Sequence, residues 1–419
     1  MSKYNIIKFL FMLITTLLVL KCARAPLQHR QQAMRPIKGV AKELTEEKNN
    51  MCGDSQTGQQ GELAKALEGV LPWLDARPDA VMTMGELKIL RSQYAAAIRK
   101  AIAANKNGQA WQEIFSKDFE WMEVYGREDY GDILLTSYYS PIISASKKSR
   151  APFTQPIYAV PEDLVELDLE QWRQHSGQET KIKSMRLVPP IKSPEGDWRP
   201  PRLVPYYSRA EIDRMGKLEK HNKILGYVDP IDAFFLHIQG SGKLLFEDKS
   251  VLHVGYATQN GHPYYSIGKS LWEVIPVEKM SMARIEQYLR SVSPEVRDRL
   301  MDLNPSYIFF RALTDKTSIT TSGAQAVAGH TVAIDNSLFP LGMVGWLYFP
   351  KPQAEANSID PTFPDQANCG RYVVAQDTGG AIRGADRLDL FWGEGHDAMI
   401  TAGAMRHRAR LYWLAPKRF

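Results

Sequence analysis

A mostly β chain with several helices is the fold class the sequence predicts, on three observations. From Gly323 to Trp413 short apolar runs alternate with glycine-rich turns, the pattern of closely joined strands. Between Pro161 and Pro205 the composition shifts to proline, charged residues and short apolar strands, with Pro189-Pro190 and Pro200-Pro201 as breakers. Elsewhere apolar residues recur at helical spacing, as in Leu63, Leu67, Val70 and Leu71. With 419 residues, 44% hydrophobic and 24% charged, the chain can bury a large core and suits roughly two globular domains.

Taken in order, Met1 to Ala25 opens with Lys3 and Lys8 and runs apolar from Phe9 to Leu20, the layout of a signal peptide and too short for a comfortable membrane span. Export is expected. Cys22 stands where a lipoprotein carries its lipid, but Lys21 fills a position that such processing prefers small, and Pro26 would hinder ordinary cleavage after Ala25, so the anchor stays open. Residues 26–60 are polar, lack an apolar period and read as a flexible tether. The remaining cysteines, Cys52 and Cys369, could pair in an oxidising compartment or stay free. Neither they nor the nine histidines show metal-ligand spacing, so no metal and no cofactor is expected. The net charge of +5 is spread thinly. It argues no nucleic-acid partner and is compatible with a polyanionic polymer.

Helices are expected over Leu63–Trp73 and over Met84–Ala104 through Leu87, Leu90 and Tyr94, both as scaffold. Ile133 to Pro141 reads as a strand ending in Tyr138 and Tyr139, which alternation points to opposite faces. Ser208-Arg209-Ala210-Glu211 is a capping box that starts a short helix. Ala233 to Ile238 reads as a strand delivering Gln239, Gly240, Ser241 and Gly242, small and amide groups that suit sugar hydroxyls or a simple hairpin turn. Asp232 just before it is a cap or a further site acid, and His262, between turn-forming pairs, reads as structural or substrate-contacting. Helices over Ser281–Leu289 and Pro294–Leu303 precede a strand at Tyr307–Phe310, and Arg410–Leu414 forms the last strand.

Chemistry concentrates on three strand ends that carry Asp335, Asp377 and Asp389. Val332-Ala333-Ile334 runs into Asp335, and Val373-Val374 leads to Asp377, after which Gly379 and Gly380 free the backbone. In Leu388-Asp389-Leu390-Phe391-Trp392, alternation sets Asp389 beside the Phe391 ring, where desolvation would hold its carboxyl group protonated as a general acid. Any one such aspartate is most often a turn residue bonding its own backbone. Asp377-Thr378-Gly379 is also the tripeptide of aspartic proteases, but that site needs a second such loop and the chain has none.

This set of aspartates, together with Gln239-Gly240-Ser241-Gly242, Asn260-Gly261-His262-Pro263-Tyr264-Tyr265-Ser266-Ile267-Gly268-Lys269 and Asn304-Pro305-Ser306-Tyr307-Ile308-Phe309-Phe310, resembles the membrane-bound lytic murein transglycosylase A family from about Ile133 to Trp413. The resemblance implies a double-psi β-barrel domain from residues 61–160 and 266–419, with its three-aspartate region at 305–415, and a smaller β-barrel domain inserted at 161–265. It further implies lytic cleavage of peptidoglycan glycan strands. Asp389 would be the single acid and base, Asp377 a residue that orients the site, and Asp335 structural support. Tyr138, Tyr139, Gln239, Gly240, Ser241, Gly242, Gly379 and Gly380 would meet the glycan. Where family members usually read Thr-Gly-Tyr-Tyr-Glu-Pro, this chain has Ser137 and Ser140 in place of the glycine and the glutamate. A monomer in the Gram-negative periplasm is implied, tied to the outer membrane if Cys22 carries a lipid. A non-catalytic glycan-binding scaffold and a hydrolytic muramidase are the competing readings.

Overall fold

The computed structural model describes residues 30–37, 51–52, 56–127, 130–177, 184–192, 196–218, 223–313, 319–353, 361–363, 368–380 and 382–417; the expected signal peptide and Cys22 lie outside them. Strand β1 (Met34–Pro36) is followed by α1 (Gln56–Asp75), the hairpin β2 (Val81–Met84) and β3 (Leu87–Leu90), α2 (Arg91–Lys106), α3 (Trp111–Asp118), β4 (Phe119–Val124) and β5 (Asp132–Ser140). A second unit holds β6 (Ile142–Ser146), β7 (Gln155–Tyr158), β8 (Leu164–Glu166), α4 (Leu169–Ser176), β9 (Ser184–Val188), β10 (Ile191–Lys192), β11 (Trp198–Arg199), β12 (Arg202–Pro205) and α5 (Arg209–Asp213). It continues through β13 (Ile224–Val228), α6 (Pro230–Gln239), β14 (Ser241–Phe246), β15 (Val251–Gln259), α7 (Met282–Ser291), α8 (Pro294–Asp302) and β16 (Ile308–Leu313). The chain then returns with β17 (Thr331–Ile334), β18 (Val344–Pro350), β19 (Asn368–Thr378), β20 (Arg387–Glu394), α9 (Gly395–Ala404) and β21 (Arg406–Pro416).

Strands β5, β20, β17, β19, β18 and β21 are hydrogen-bonded in that order, and β21 pairs with β5 again, so six strands close into a barrel. Two of its pairs, β17 with β19 and β20 with β5, are parallel, and the others are antiparallel. The mixed ring is the larger barrel of the expected fold. The smaller one is the sheet β16-β15-β14-β6-β13-β7, whose ends approach through a bridge between Ala159 and Phe310. Sheet membership thus puts β6 and β7, before residue 161, and β16, after residue 265, in the smaller barrel.

The main core lies between the ring and the N-terminal helices, with Trp346 and Trp413 fully buried. Tyr94 of α2 ties the layers together: its hydroxyl donates to the Leu414 carbonyl at 2.8 Å and accepts the Val344 N–H at 2.9 Å. Such paired buried bonds contribute about 1 kcal/mol each. A Cβ on Gly370 would fall 1.8 Å from Trp346 Cζ2, so glycine is what lets the indole lie against β19. Within the stretch read as a tether, β1 pairs with β4, and Cys52 is disulfide-bonded to Cys369.

Three local expectations are corrected. Ala233–Ile238 is the body of helix α6: Asp229 caps its start through Ile231 N–H (2.9 Å), Pro230 occupies its first turn, and Gly240 (φ 76°) ends it. Both faces of this helix are covered, Ala233 and Leu236 by the smaller barrel's core and Phe234 and Phe235 by residues of α7 and α8, so no polar stripe reveals its period. Met84–Leu90 is not helical, because Gly85 (φ 63°) and Glu86 turn β2 into β3 before α2 begins at Arg91. Helix α9 is an element that the strand reading of 323–413 passed over.

Candidate active site

Ala333 of β17 pairs with Asp389 of β20 on one side and with Asp377 of β19 on the other, so the barrel sets both aspartates at one level around a side chain too small to separate them. Asp389 is in parallel register with Thr136 of β5, and Phe391 with Tyr138. Paired residues share a face, so a hydroxyl, a phenol, a carboxyl group and a ring stand together. Thr136 Oγ1 donates to Asp389 Oδ1 at 2.6 Å, and the rings of Tyr138 and Phe391 are tilted against each other with centroids 5.2 Å apart. The Tyr138 hydroxyl donates to Asp377 Oδ2 at 2.9 Å. Because β5 and β19 lie three strands apart either way round the ring, this bond crosses the barrel. It follows that Asp389, Phe391, Thr136 and Tyr138 line the inner face.

Three further donors meet Asp377 at its rim. Its Oδ1 accepts from Thr321 N–H (3.0 Å), Thr321 Oγ1 (2.8 Å) and Thr378 N–H (2.9 Å). Asp389 is left with the one Thr136 bond, and burial pushes its carboxyl group up to about 6, the Thr136 bond and Arg387 opposing and the Asp377 charge reinforcing the shift. Burial and the adjacent Asp377 push the Tyr138 phenol well above its ordinary value. Trp392, on the other face of β20, looks away from this chemistry into a cavity of about 360 Å³ that Phe349, Lys351 and Arg371 also line.

Asp335 is used differently. Only 4% exposed, it accepts Ser337 N–H (3.0 Å) and Ser337 Oγ (2.6 Å) on Oδ1 and Gly384 N–H (2.9 Å) on Oδ2. It clamps the turn after β17 to the loop before β20. In that loop a Cβ on Gly379 would lie 2.7 Å from Ile382 Cγ1, whereas Gly380 faces open space.

The glycine-serine segment joins the barrels. Tyr139 is 3% exposed and packs with Ala283, Ala398, Met399 and Ala402, while its N–H donates to Gln239 Oε1 at 3.2 Å. A Cβ on Gly242 would meet Leu236 at 2.7 Å and the Pro141 carbonyl at 3.0 Å, Lys243 N–H donates to that same carbonyl, and the Lys243 side chain pairs with Glu394. Gly240 is the helix cap and Ser241 begins β14, half-buried. Asp232, in the first turn of α6, binds Arg290 at 2.5 Å, and burial lifts its carboxyl group to about 6. His262 Nε2 donates to the Tyr206 carbonyl at 2.8 Å. Among the described residues, no group of three or more His, Cys, Asp or Glu side chains is placed to hold a metal.

Residues 134–311 match the MltA specific insert domain, and residues 330–415 match the 3D domain. Membrane-bound lytic murein transglycosylase A of Escherichia coli K12 is 31% identical over 297 residues, spanning 70% of this chain and 68% of that protein. The chain belongs to the membrane-bound lytic murein transglycosylase A family. The Vibrio cholerae member is 28% identical over 69% of this chain and 67% of its own length. The fold agrees with the solved structure of an Agrobacterium tumefaciens membrane-bound lytic murein transglycosylase (TM-score 0.67, 24% identity, 85% of this chain and 93% of that one). It agrees equally with E. coli MltA bearing bound chitohexaose (TM-score 0.66, 23% identity, 94% and 96%).

The segments Asn260–Lys269 and Asn304–Phe310 brace each other. Asn260 donates to the Tyr207 and Pro305 carbonyls and accepts Tyr307 N–H, while Asn304 accepts Tyr265 N–H and Ser306 N–H. Reading the sequence missed Thr136 and Thr321. The first was hidden in an ordinary strand, and the second, in Ile319-Thr320-Thr321-Ser322, carries no local signal at all.

Proposed function

We propose that this chain is a peptidoglycan lytic transglycosylase that cleaves the β-1,4 bond from N-acetylmuramic acid to N-acetylglucosamine and leaves a 1,6-anhydromuramic acid end, with Asp389 as the single general acid and base. The observation that carries it is the Asp389 carboxyl group on the barrel's inner face, lifted to about 6 and, among the described residues, hydrogen-bonded by Thr136 alone. Protonated Asp389 gives its proton to the glycosidic oxygen as the C1–O bond breaks. The sugar's own C6 hydroxyl then attacks C1 and returns a proton to the Asp389 carboxylate, so no water and no second carboxylate is needed. Asp377 is the fixed negative charge beside the oxocarbenium-like centre, and Asp335 holds the rim that carries the chemistry. Tyr138, Gly379, Gly380, Gly240 and Ser241 are the proposed glycan contacts, with Tyr139, Gln239 and Gly242 shaping the joint beneath.

The site acts on periplasmic wall glycan of a Gram-negative cell, as a monomer, and no nucleic acid is involved. Support comes from the relatives' names and from the apolar N-terminal run; among the described residues no helix is long and apolar enough to cross a membrane. The test is mass spectrometry of muropeptides released from isolated sacculi by the purified protein. Products lighter by one water than reducing muropeptides are expected. Reducing ends would make the protein a muramidase, and sacculus binding without release would make it a scaffold.

A further inference from the structure

We propose that Thr321 is a positioning residue for the reaction, holding Asp377 as an oriented anion beside Asp389 by giving it both its backbone N–H and its hydroxyl. The inference rests on the lytic reading above. The geometry is specific. Thr321 reaches Asp377 Oδ1 from a loop outside the ring strands, through N–H at 3.0 Å and Oγ1 at 2.8 Å, and its hydroxyl also lies 2.9 Å from that of Thr378. The loop is itself pinned: Ser322 N–H donates to the Gln376 carbonyl at 2.9 Å, and Thr320 Oγ1 donates to the Ala324 carbonyl at 2.9 Å. From the opposite wall Tyr138 fixes Oδ2 at 2.9 Å. Asp377 is therefore held at both oxygens from two sides of the barrel, and every one of those partners donates.

Four donors converge on this carboxyl group, three of them on Oδ1. It is a good preorganised charge, because it needs no reorientation when positive charge develops at the sugar. It also faces Asp389, and its negative charge helps to keep that carboxyl group protonated before turnover. The groups that face Asp389 are Thr136, Arg387, Asp377 and the Tyr138 phenol; of Thr136, Arg387 and Asp377 only Asp377 favours the protonated form, so displacing it removes that support. Thr321 is exposed, so removing its hydroxyl opens no core cavity.

The experiment compares full-length wild type with Thr321→Val, Thr321→Ser, Asp377→Asn and the double variant Thr321→Val/Asp377→Asn, measuring release of anhydro-muropeptides from sacculi and thermal unfolding. Thr321→Val is expected to lower kcat about tenfold, the scale of one charge-assisted hydrogen bond, with KM and Tm unchanged and the alkaline limb of the pH profile moved to lower pH. Thr321→Ser is expected to restore the rate, and Thr321→Val is expected to cost little further in the Asp377→Asn background, because the two act as a unit. Additive losses, or a raised KM at unchanged kcat, would overturn the proposal and make Thr321 a direct sugar contact. Unaltered kinetics would overturn it as well. If wild type itself yields reducing ends, it is the lytic reading that fails, and the dependence of rate on Thr321 through Asp377 is still read from the same cycle.

Discussion

Asp335 and Asp389 look alike in the sequence, each an acid on a short apolar run in the region that returns to the larger barrel, and the fold treats them in opposite ways. Asp335 has both oxygens occupied by three donors from its own turn and from Gly384, whereas Asp389 has a single threonine hydroxyl and an aromatic wall. A carboxylate that accepts several N–H and O–H bonds is tied to its neighbours and serves as a bracket. One that is desolvated with few donors is destabilised in its charged form and can hold a proton up to about pH 6. The count of donors, not the residue type or its place on a strand, separates the aspartate proposed as structural from the one proposed as the acid.

The largest effect expected from this contrast is on rate. Asp389→Asn should cut anhydro-muropeptide release at least ~100-fold while leaving the fold intact, the scale of losing a general acid. The same variant should be more stable than wild type at pH 7. A carboxyl group raised to about 6 by burial stabilises the fold only while it is protonated, so its contribution is complete at low pH and is lost as pH rises through about 6. Removing the charge should return on the order of 2 kcal/mol, read as a higher Tm. Asp389→Asn with near-normal activity, or with a lowered Tm at pH 7, would break the contrast.

Next in size is the pH dependence of the wild type. If the protonated form of Asp389 starts the reaction, as proposed, kcat/KM should hold up below about 6 and fall at higher pH, by about tenfold per pH unit. A pH–rate profile flat to pH 8 would mean that another group supplies the proton. The companion change, Asp335→Asn, should leave kcat within about threefold and lower stability by about 1–3 kcal/mol, because an amide nitrogen would face the Gly384 N–H where an acceptor is required. Denaturant unfolding together with a rate on the folded protein checks it, and a large kcat loss at unchanged stability would move Asp335 into the chemistry.

How much of this was legible in the sequence depends on range. The pattern around Asp389 is local: alternation sets it beside Phe391, and the structure puts both on the barrel's inner face. What Thr136 and Thr321 do was not legible, because each meets its aspartate only after separate segments of the chain are brought together; Thr136 and Asp389 are 253 residues apart. Barrel closure is hidden for the same reason, since β5 enters a ring whose other strands all follow residue 330. Helix α6 shows a different limit. Its Asp-Pro start and glycine stop were present in the sequence, but burial on two sides erased the amphipathic period, and a short apolar run without a period reads equally well as a strand.

The smallest effect expected is the one that tests the donor count most directly. Thr136→Val keeps the shape of the side chain and removes the only hydroxyl among the described residues that is bonded to Asp389. That bond favours the carboxylate, so without it the carboxyl group should rise further above its ordinary range. The alkaline limb of the rate profile should then move up by about half a pH unit, and the rate at its plateau should change by no more than about threefold, since the acid form is still present and only its lateral support is lost. Movement in the opposite direction would mean that Thr136 accepts a hydrogen bond from protonated Asp389 instead of donating to its charged form. In that case the hydroxyl would be a guide for the proton, and the difference between Asp389 and Asp335 would lie in the direction of their bonds as well as in their number.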